Sequence, residues 1–314
     1  MKQVVIAAAS NIDHIKIGEN ISKEFLNGAS IYAGFASAEQ AETEVITCIG
    51  SEKAYEDIIK RLKTYRNKNI PDFHIIRINE GKSFKQTFEI VDGKLEVTHK
   101  DYGNYNDWAP EIPEFKTDTL LLGTANPVFQ KCVLDSCTQA NHILLDSKLI
   151  HFLIRADKVD ELIKKVDTLF GTREEIEQLL KNCELPVTMT SSIFRKYPNL
   201  QVIIEKSAEK GGRVFKSDGT LYTYQPVQPV NELCTDGAGD VFAGVYASLL
   251  SEGKDLKEII RRSAEIAAES VKYFGINKVK HGIGQISPEI KIVIEESRWK
   301  SRNEQSKEDP NRSH

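Results

Sequence analysis

One kind of segment recurs along this chain: a short apolar run of strand length without clean in–out alternation. "VVIAAA", "EVITCIG", "FHIIRI", "TLLLG", "HILLD", "DTLFG" and "QVIIEK" all have this character. A strand with one wet face alternates, so runs like these are read as strands covered on both faces. Helical patterns lie between most of them. "AYEDIIKRLKTY" sets Tyr55, Ile58, Ile59, Leu62 and Tyr65 on one side, and "PVFQKCVLDSC" opens with Pro127 at a first-turn position. "ADKVDELIKKV" and "REEIEQLLKN" are amphipathic. Such alternation predicts an α/β fold, a mainly parallel sheet between layers of helices. Ligands of such sheets bind beyond the carboxyl ends of the strands.

One segment breaks the rhythm. "KSFKQTFEIVDGKLEVTHKDY" reads as two strands joined at Asp92-Gly93, a strong hairpin signal. Phe84, Phe88 and Ile90 share a face that Leu95 and Val97 oppose. With "HIKIG" and "ISKEFL" it is expected to form a small separate sheet, drawn from about residues 14–27 and 74–108. That sheet is read as a lid over a cleft, with a plain sheet extension as the alternative. No linker separates independent domains, so residues 1–300 are expected to form one domain and 301–314 a disordered tail.

Bulk properties narrow the partners. The 314 residues carry a formal charge of -4 with acids and bases interspersed. That balance gives no electrostatic reason to expect nucleic acid or an anionic membrane as partner. No run approaches the ~18 to 20 apolar residues of a membrane helix. The opening "MKQVVIAAAS" is too short in its apolar part for a leader and is read as a buried strand. Five scattered cysteines lack zinc-like spacing and are expected to be reduced, mostly buried thiols of a cytoplasmic protein.

The chemistry points to "CTDGAGDVFAG", Cys234 to Gly244. An apolar helical run follows Asp240 and Gly253 ends it, so Gly237, Ala238 and Gly239 stand at a helix entrance. Helix entrances present amide donors without internal partners and the positive end of the peptide dipole. Small residues there let an anion approach. A carboxylate beside that anion makes sense if it takes a proton from a hydroxyl attacking phosphorus. The alternative is a plain helix start with Asp236 as the cap.

Cys234-Thr235-Asp236-Gly237-Ala238-Gly239-Asp240 resembles the Asp-Thr-x-Gly-Ala-Gly-Asp signature of the ribokinase (PfkB) family of carbohydrate and nucleoside kinases. "SNIDHI", "NGASIYAGFASAEQAETEVITCIG", "TANPVFQKCVL", "VDTLFGTREEIEQLL", "IIEKSAEKGGRVF" and "SAEIAAESVKYFG" follow the family's order over nearly the whole chain. The resemblance implies a ribokinase-like three-layer αβα sandwich with a small β-sheet lid. It also implies an ATP- and Mg2+-dependent kinase acting on a hydroxyl of a small sugar or polyol. Asp240 would then be the general base, and the Gly237, Ala238 and Gly239 amides the anion hole. Asp13 would bind substrate hydroxyls, with Asn11 and Gly28 beside it. Glu174 would organise magnesium through water, and Glu205, Lys206, Ser207, Gly211 and Thr235 would border the nucleotide.

Several positions depart from that pattern. Cys234 replaces the first Asp of the signature, and Asn27 the first Gly of the early pair. Leu149 stands at or near a usual Asn, and Gly171-Thr172-Arg173-Glu174 is read in place of Asn-x-x-Glu. Ser207 replaces a Gly in a nucleotide loop that reads one residue longer. None removes the base or the hole. The competing expectations are a nucleoside kinase and a silent ligand-binding member of the family. A dinucleotide enzyme is a weaker reading, because no Gly-x-Gly-x-x-Gly follows the first strand. A homodimer through lid edges is expected from unpaired strand edges alone.

Overall fold

Val4 and Ile6 leave the first strand on one side, Val5 and Ala7 on the other, and all four are buried. This is the double coverage that the non-alternating runs predict. The computed structural model describes residues 3–17, 20–49, 60, 71–77, 85–101, 109–186, 191–275, 277–278 and 286–299. In chain order the strands are β1 (Gln3–Ala7), β2 (Asn11–Ile17), β3 (Asn20–Asn27), β4 (Glu42–Ile49), β5 (Asp72–Arg77), β6 (Lys85–Val91) and β7 (Lys94–Asp101). They continue as β8 (Phe115–Lys116), β9 (Thr119–Leu122), β10 (Cys137–Gln139), β11 (His142–Asp146), β12 (Thr168–Thr172) and β13 (Val202–Lys206). The last three are β14 (Gly212–Lys216), β15 (Thr220–Pro226) and β16 (Ile292–Arg298).

The main sheet runs β16-β15-β14-β13-β12-β11-β9-β1-β4-β5. Pairing is parallel from β13 through to β5 and antiparallel from β13 to β16. One face packs on the helices Ala29–Ala38 (α1), Ala238–Ser251 and Leu256–Ser270. The other packs on Pro127–Ser136, Ala156–Ile163 and Arg173–Asn182. Adjacent strand residues split between the two cores: Leu121, Leu144 and Ile204 join the first, while Leu120, Leu145 and Ile203 join the second. Pro127 opens its helix under an Asn126 cap.

The small sheet runs β3-β2-β6-β7. Asp92 and Gly93 have φ of 49° and 80°, as a tight two-residue hairpin turn demands. Residues 74–77 do not belong to this sheet, contrary to the expected boundary. They pair with β4, because Phe73, Ile75 and Ile76 find apolar cover on both faces of the main sheet. The base of the small sheet is pinned by an aromatic cluster in which Phe274 stands 4.6 Å from Phe25 and 5.5 Å from Phe88. Its hairpin touches the body, where Leu95 N–H donates to Leu233 C=O at 2.9 Å and Lys94 Nζ lies 2.5 Å from Glu232 Oε1.

The helix expected around "AYEDIIKRLKTY", apart from Lys60, lies outside the described residues, as do Phe84 and the 301–314 tail. Among the described residues no helix is long and apolar enough to cross a membrane. All five cysteines are free thiols.

Candidate active site

The helix Ala238–Ser251 begins behind Gly237, whose φ of 80° is left-handed and costs glycine little. A side chain there would also strike the Tyr32 ring, with Cβ only 2.2 Å from a ring carbon. Backbone conformation and close packing therefore both require glycine at this corner. Asp236 makes no cap bond to the helix. Gly237 is the cap residue, and the Asp236 carboxylate accepts from Asn27 Nδ2 at 3.0 Å. One of the three expected hole amides is engaged: Ala238 N–H donates to Thr235 C=O at 3.2 Å. Gly237, Gly239 and Asp240 N–H make no backbone hydrogen bond among the described residues. Two of the three expected hole amides, Gly237 and Gly239, thus stand without a backbone partner, and Asp240 adds a third.

Asp240 is half-buried on the first turn. Desolvation raises its carboxyl to about 6, with Lys148 and Lys206 opposing and Asp146 and Asp236 adding to the rise. A carboxylate tuned toward neutrality suits proton abstraction. Thr124 Oγ1 lies 3.4 Å from its Oδ1. Lys206, at the end of β13, donates to Asp146 Oδ2 at 2.7 Å, and Asp146 ends β11. Desolvation works to lower the Lys148 ammonium, but Asp240, Asp146, Glu175 and Asp236 outweigh it and hold it above its usual range. These groups come from carboxyl ends of parallel strands, as the fold class requires.

A cleft of about 400 Å3 opens from this corner. One end is apolar, with Tyr224, Pro226, Val230, Ala264, Ala267 and Ile292, and suits a flat base. The other end reaches Gly237–Asp240. Of the expected nucleotide residues, Lys206, Gly211 and Thr235 line it. Glu205 and Ser207 do not: Arg213 holds the Glu205 carboxylate at 2.7 to 2.9 Å, and Ser207 N–H closes the loop onto Gly211 C=O. Glu174 is exposed and also lies off the lining. Its neighbour Glu175 lines the cleft, buried, and accepts from Leu149 N–H at 3.1 Å and Thr172 N–H at 2.6 Å. Reading the motif as Thr172-x-x-Glu175 moves the metal candidate by one residue. Its signal was available, because Thr172 and Glu175 form a capping box.

The expected acceptor end is sealed. Asp13 is fully buried at the base of β2, and desolvation raises its carboxyl to about 7. Asn11 Nδ2 donates to its Oδ1 at 2.6 Å and Gln86 N–H at 2.7 Å, while Asn27 Nδ2 donates to Oδ2. Asn27 thereby bridges Asp13 and Asp236. Gly28, with φ of 113°, sits against Asn11 Oδ1 and Ala9 C=O, where Cβ would come within 2.5 and 2.7 Å. Behind the corner, fully buried Lys278 donates to Cys234 C=O at 2.6 Å, and burial lowers its ammonium. Sequence reasoning missed Lys278, Asp146, Lys148 and the bridging role of Asn27, since none sits in a motif that names a partner.

The model of the pfkB carbohydrate kinase family matches residues 36–280. A cytidine kinase of Thermococcus kodakarensis is 27% identical over 124 residues, 40% of this chain. The chain spans only 44% of that relative's length in the match. Among solved structures, a nucleoside kinase of Methanocaldococcus jannaschii superposes with a TM-score of 0.67 at 18% identity, covering 90% of this chain and 98% of its own. An Arabidopsis thaliana ribokinase complexed with ribose and ATP gives 0.65 at 17% identity, covering 90% and 99%. At these identities the structural likeness establishes a ribokinase-like fold.

Proposed function

The chain belongs to the pfkB family of carbohydrate kinases, and from that premise we propose that it transfers the terminal phosphate of ATP to a hydroxyl of a small sugar or polyol. The observation that carries the reading is Asp240, raised to about 6, on the first turn of a helix where the Gly237 and Gly239 amides have no backbone partner among the described residues. The base of the nucleotide lies at the apolar end of the cleft and its phosphates run toward Gly237 and Gly239. Those amides receive the charge of the phosphoryl group in flight, usually the largest electrostatic contribution to such a reaction. Asp240 takes the proton of the acceptor hydroxyl. Asp13 holds further hydroxyls by exchanging an amide partner for substrate, since a carboxylate accepts from two neighbouring OH groups.

Magnesium, when bound, would supply charge neutralisation for the phosphoryl transfer. Among the described residues no group of three or more His, Cys, Asp or Glu is placed to hold a metal alone. Glu175, the buried carboxylate lining the cleft, would hold the ion through water, since magnesium keeps much of its hydration shell. The small sheet acts as the lid, excluding water from the reacting phosphate.

A nucleoside acceptor is the second reading, favoured by the Thermococcus kodakarensis relative. ADP release from the full chain with pentoses, inositols and nucleosides decides between them. Asp240→Asn is expected to cut turnover by ~10²-fold or more while ATP binding stays measurable. Unchanged turnover removes Asp240 from the mechanism. Saturable acceptor binding without ADP release replaces the enzyme with a ligand-binding protein.

A further inference from the structure

The mouth of the Ala238–Ser251 helix holds a cation where the helix dipole disfavours one. The Lys206 ammonium lies 3.3 Å from the point a Cβ on Gly239 would occupy, directly against the first turn. It also rests 5.8 Å from the centre of the Phe170 ring. Positive charge at a helix N-terminus meets the positive end of the dipole. Asp146 offsets part of that cost, with its side chain only 3% exposed and its Oδ2 2.7 Å from Lys206 Nζ. An ammonium has three donors and Asp146 takes one. Lys148 enters the same cleft from the segment after β11, among the carboxylates of Asp240, Asp146, Glu175 and Asp236. Lys206 at the end of β13 and Lys148 just after β11 thus flank one helix mouth, and both line the cleft of about 400 Å3 that opens from it.

We propose that Lys206, positioned by Asp146, and Lys148 together clamp the terminal phosphate of the nucleotide at this mouth. The assignment rests on the kinase reading of the site and adds two catalytic residues to it. An anion between the lysines and the helix resolves the adverse placement, because both the dipole and the ammonium groups then face negative charge. It also tempers the repulsion between Asp240 and the incoming phosphate. In the transfer, the bond between the terminal phosphorus and its bridging oxygen breaks and a bond to the acceptor oxygen forms. The hydroxyl proton passes to Asp240, and the bridging oxygen leaves on ADP. The two ammonium groups keep their protons throughout and balance charge on the moving phosphoryl oxygens. A purely structural Lys206–Asp146 pair would affect stability without distinguishing nucleotides by their phosphate number.

Titration calorimetry of the full chain with ATP and with AMP, without acceptor, tests the clamp. Lys206→Met and Lys148→Met are each expected to weaken ATP binding by about tenfold, the worth of one charged hydrogen bond. AMP binding should stay unchanged, and Lys206→Arg should restore most of the ATP affinity. ATP affinity unchanged in both methionine variants overturns the proposal, as does an equal loss for ATP and AMP. If Lys206→Met does not fold, exposed Lys148 carries the same comparison through Lys148→Met. Wild-type chain that binds neither nucleotide refutes the kinase reading as well; wild type that binds ATP while the variants match it refutes only the clamp.

Discussion

The two ends of the candidate site handle buried charge in opposite ways. At the nucleotide end, Asp240, Asp146 and Asp236 are balanced by Lys206 and Lys148 around an open cleft of about 400 Å3. At the expected acceptor end, Asp13 is fully buried and, among the described residues, its charge is met by the neutral donors of Asn11, Asn27 and Gln86. Charged partners tune a carboxylate while leaving it reachable. Neutral amides seal it, and desolvation is the largest influence at both ends, raising Asp13 to about 7 and Asp240 to about 6. On the proposed reading the cleft admits a nucleotide as it stands, whereas Asp13 must release a donor before it takes a substrate hydroxyl. Asn27 joins the ends through Asp13 and Asp236.

The largest test of that contrast is Asp13→Ala. Loss of two substrate hydrogen bonds to a carboxylate is expected to lower kcat/KM for the acceptor by roughly 10²-fold or more, with ATP affinity unchanged by calorimetry. An equal loss of ATP affinity would show that the two ends are one unit. A smaller effect separates them by pH. Asp240 must be ionised to take a proton, so kcat should rise through about pH 6 and level off above it. A flat rate profile between pH 5 and about 7 would deny Asp240 the role of base. Stability should move the other way. Both carboxyls are raised on folding, so their contribution is fully present below about pH 4 and is lost as pH rises through about 6 and 7. For Asp13 this loss has an upper bound of about 4 kcal/mol. Melting temperature against pH, with Asp13→Ala as control, measures it. The smallest effect concerns the hairpin. Lys94→Met removes an exposed pair with Glu232 and should change the acceptor KM by less than about threefold, because the Leu95 N–H bond to Leu233 C=O remains. A tenfold change would make that ion pair a latch of the acceptor end.

Much of the architecture was legible because burial leaves a period. "TLLLG" and "HILLD" are apolar without alternation and prove covered on both faces, and Asp92-Gly93 marked its turn by backbone conformation alone. The strands Thr220–Pro226 and Ile292–Arg298, the last two at one side of the main sheet, escaped notice, since their half-exposed, polar-rich patterns resemble loops. Glu174 and Glu175 look alike in the sequence at a helix start, and only the turn distinguishes them, burying Glu175 and leaving Glu174 exposed. Lys206 stood among the expected nucleotide residues, but nothing in "EKSAEK" disclosed Asp146 as its partner sixty residues away.

What the amino-acid sequence determined by itself was local: which non-alternating apolar runs become strands, where the helix at Gly237 starts, and that Asp240 stands on its first turn. These follow from side-chain size, dihedral freedom and spacing along the chain. Only the tertiary structure decided which charges meet. It brought Lys206 onto Asp146, closed Asn27 over Asp13, and left the cleft at Asp240 open. Coulomb forces and desolvation act through space, and the sheet order that sets those distances arises only when distant strands pair.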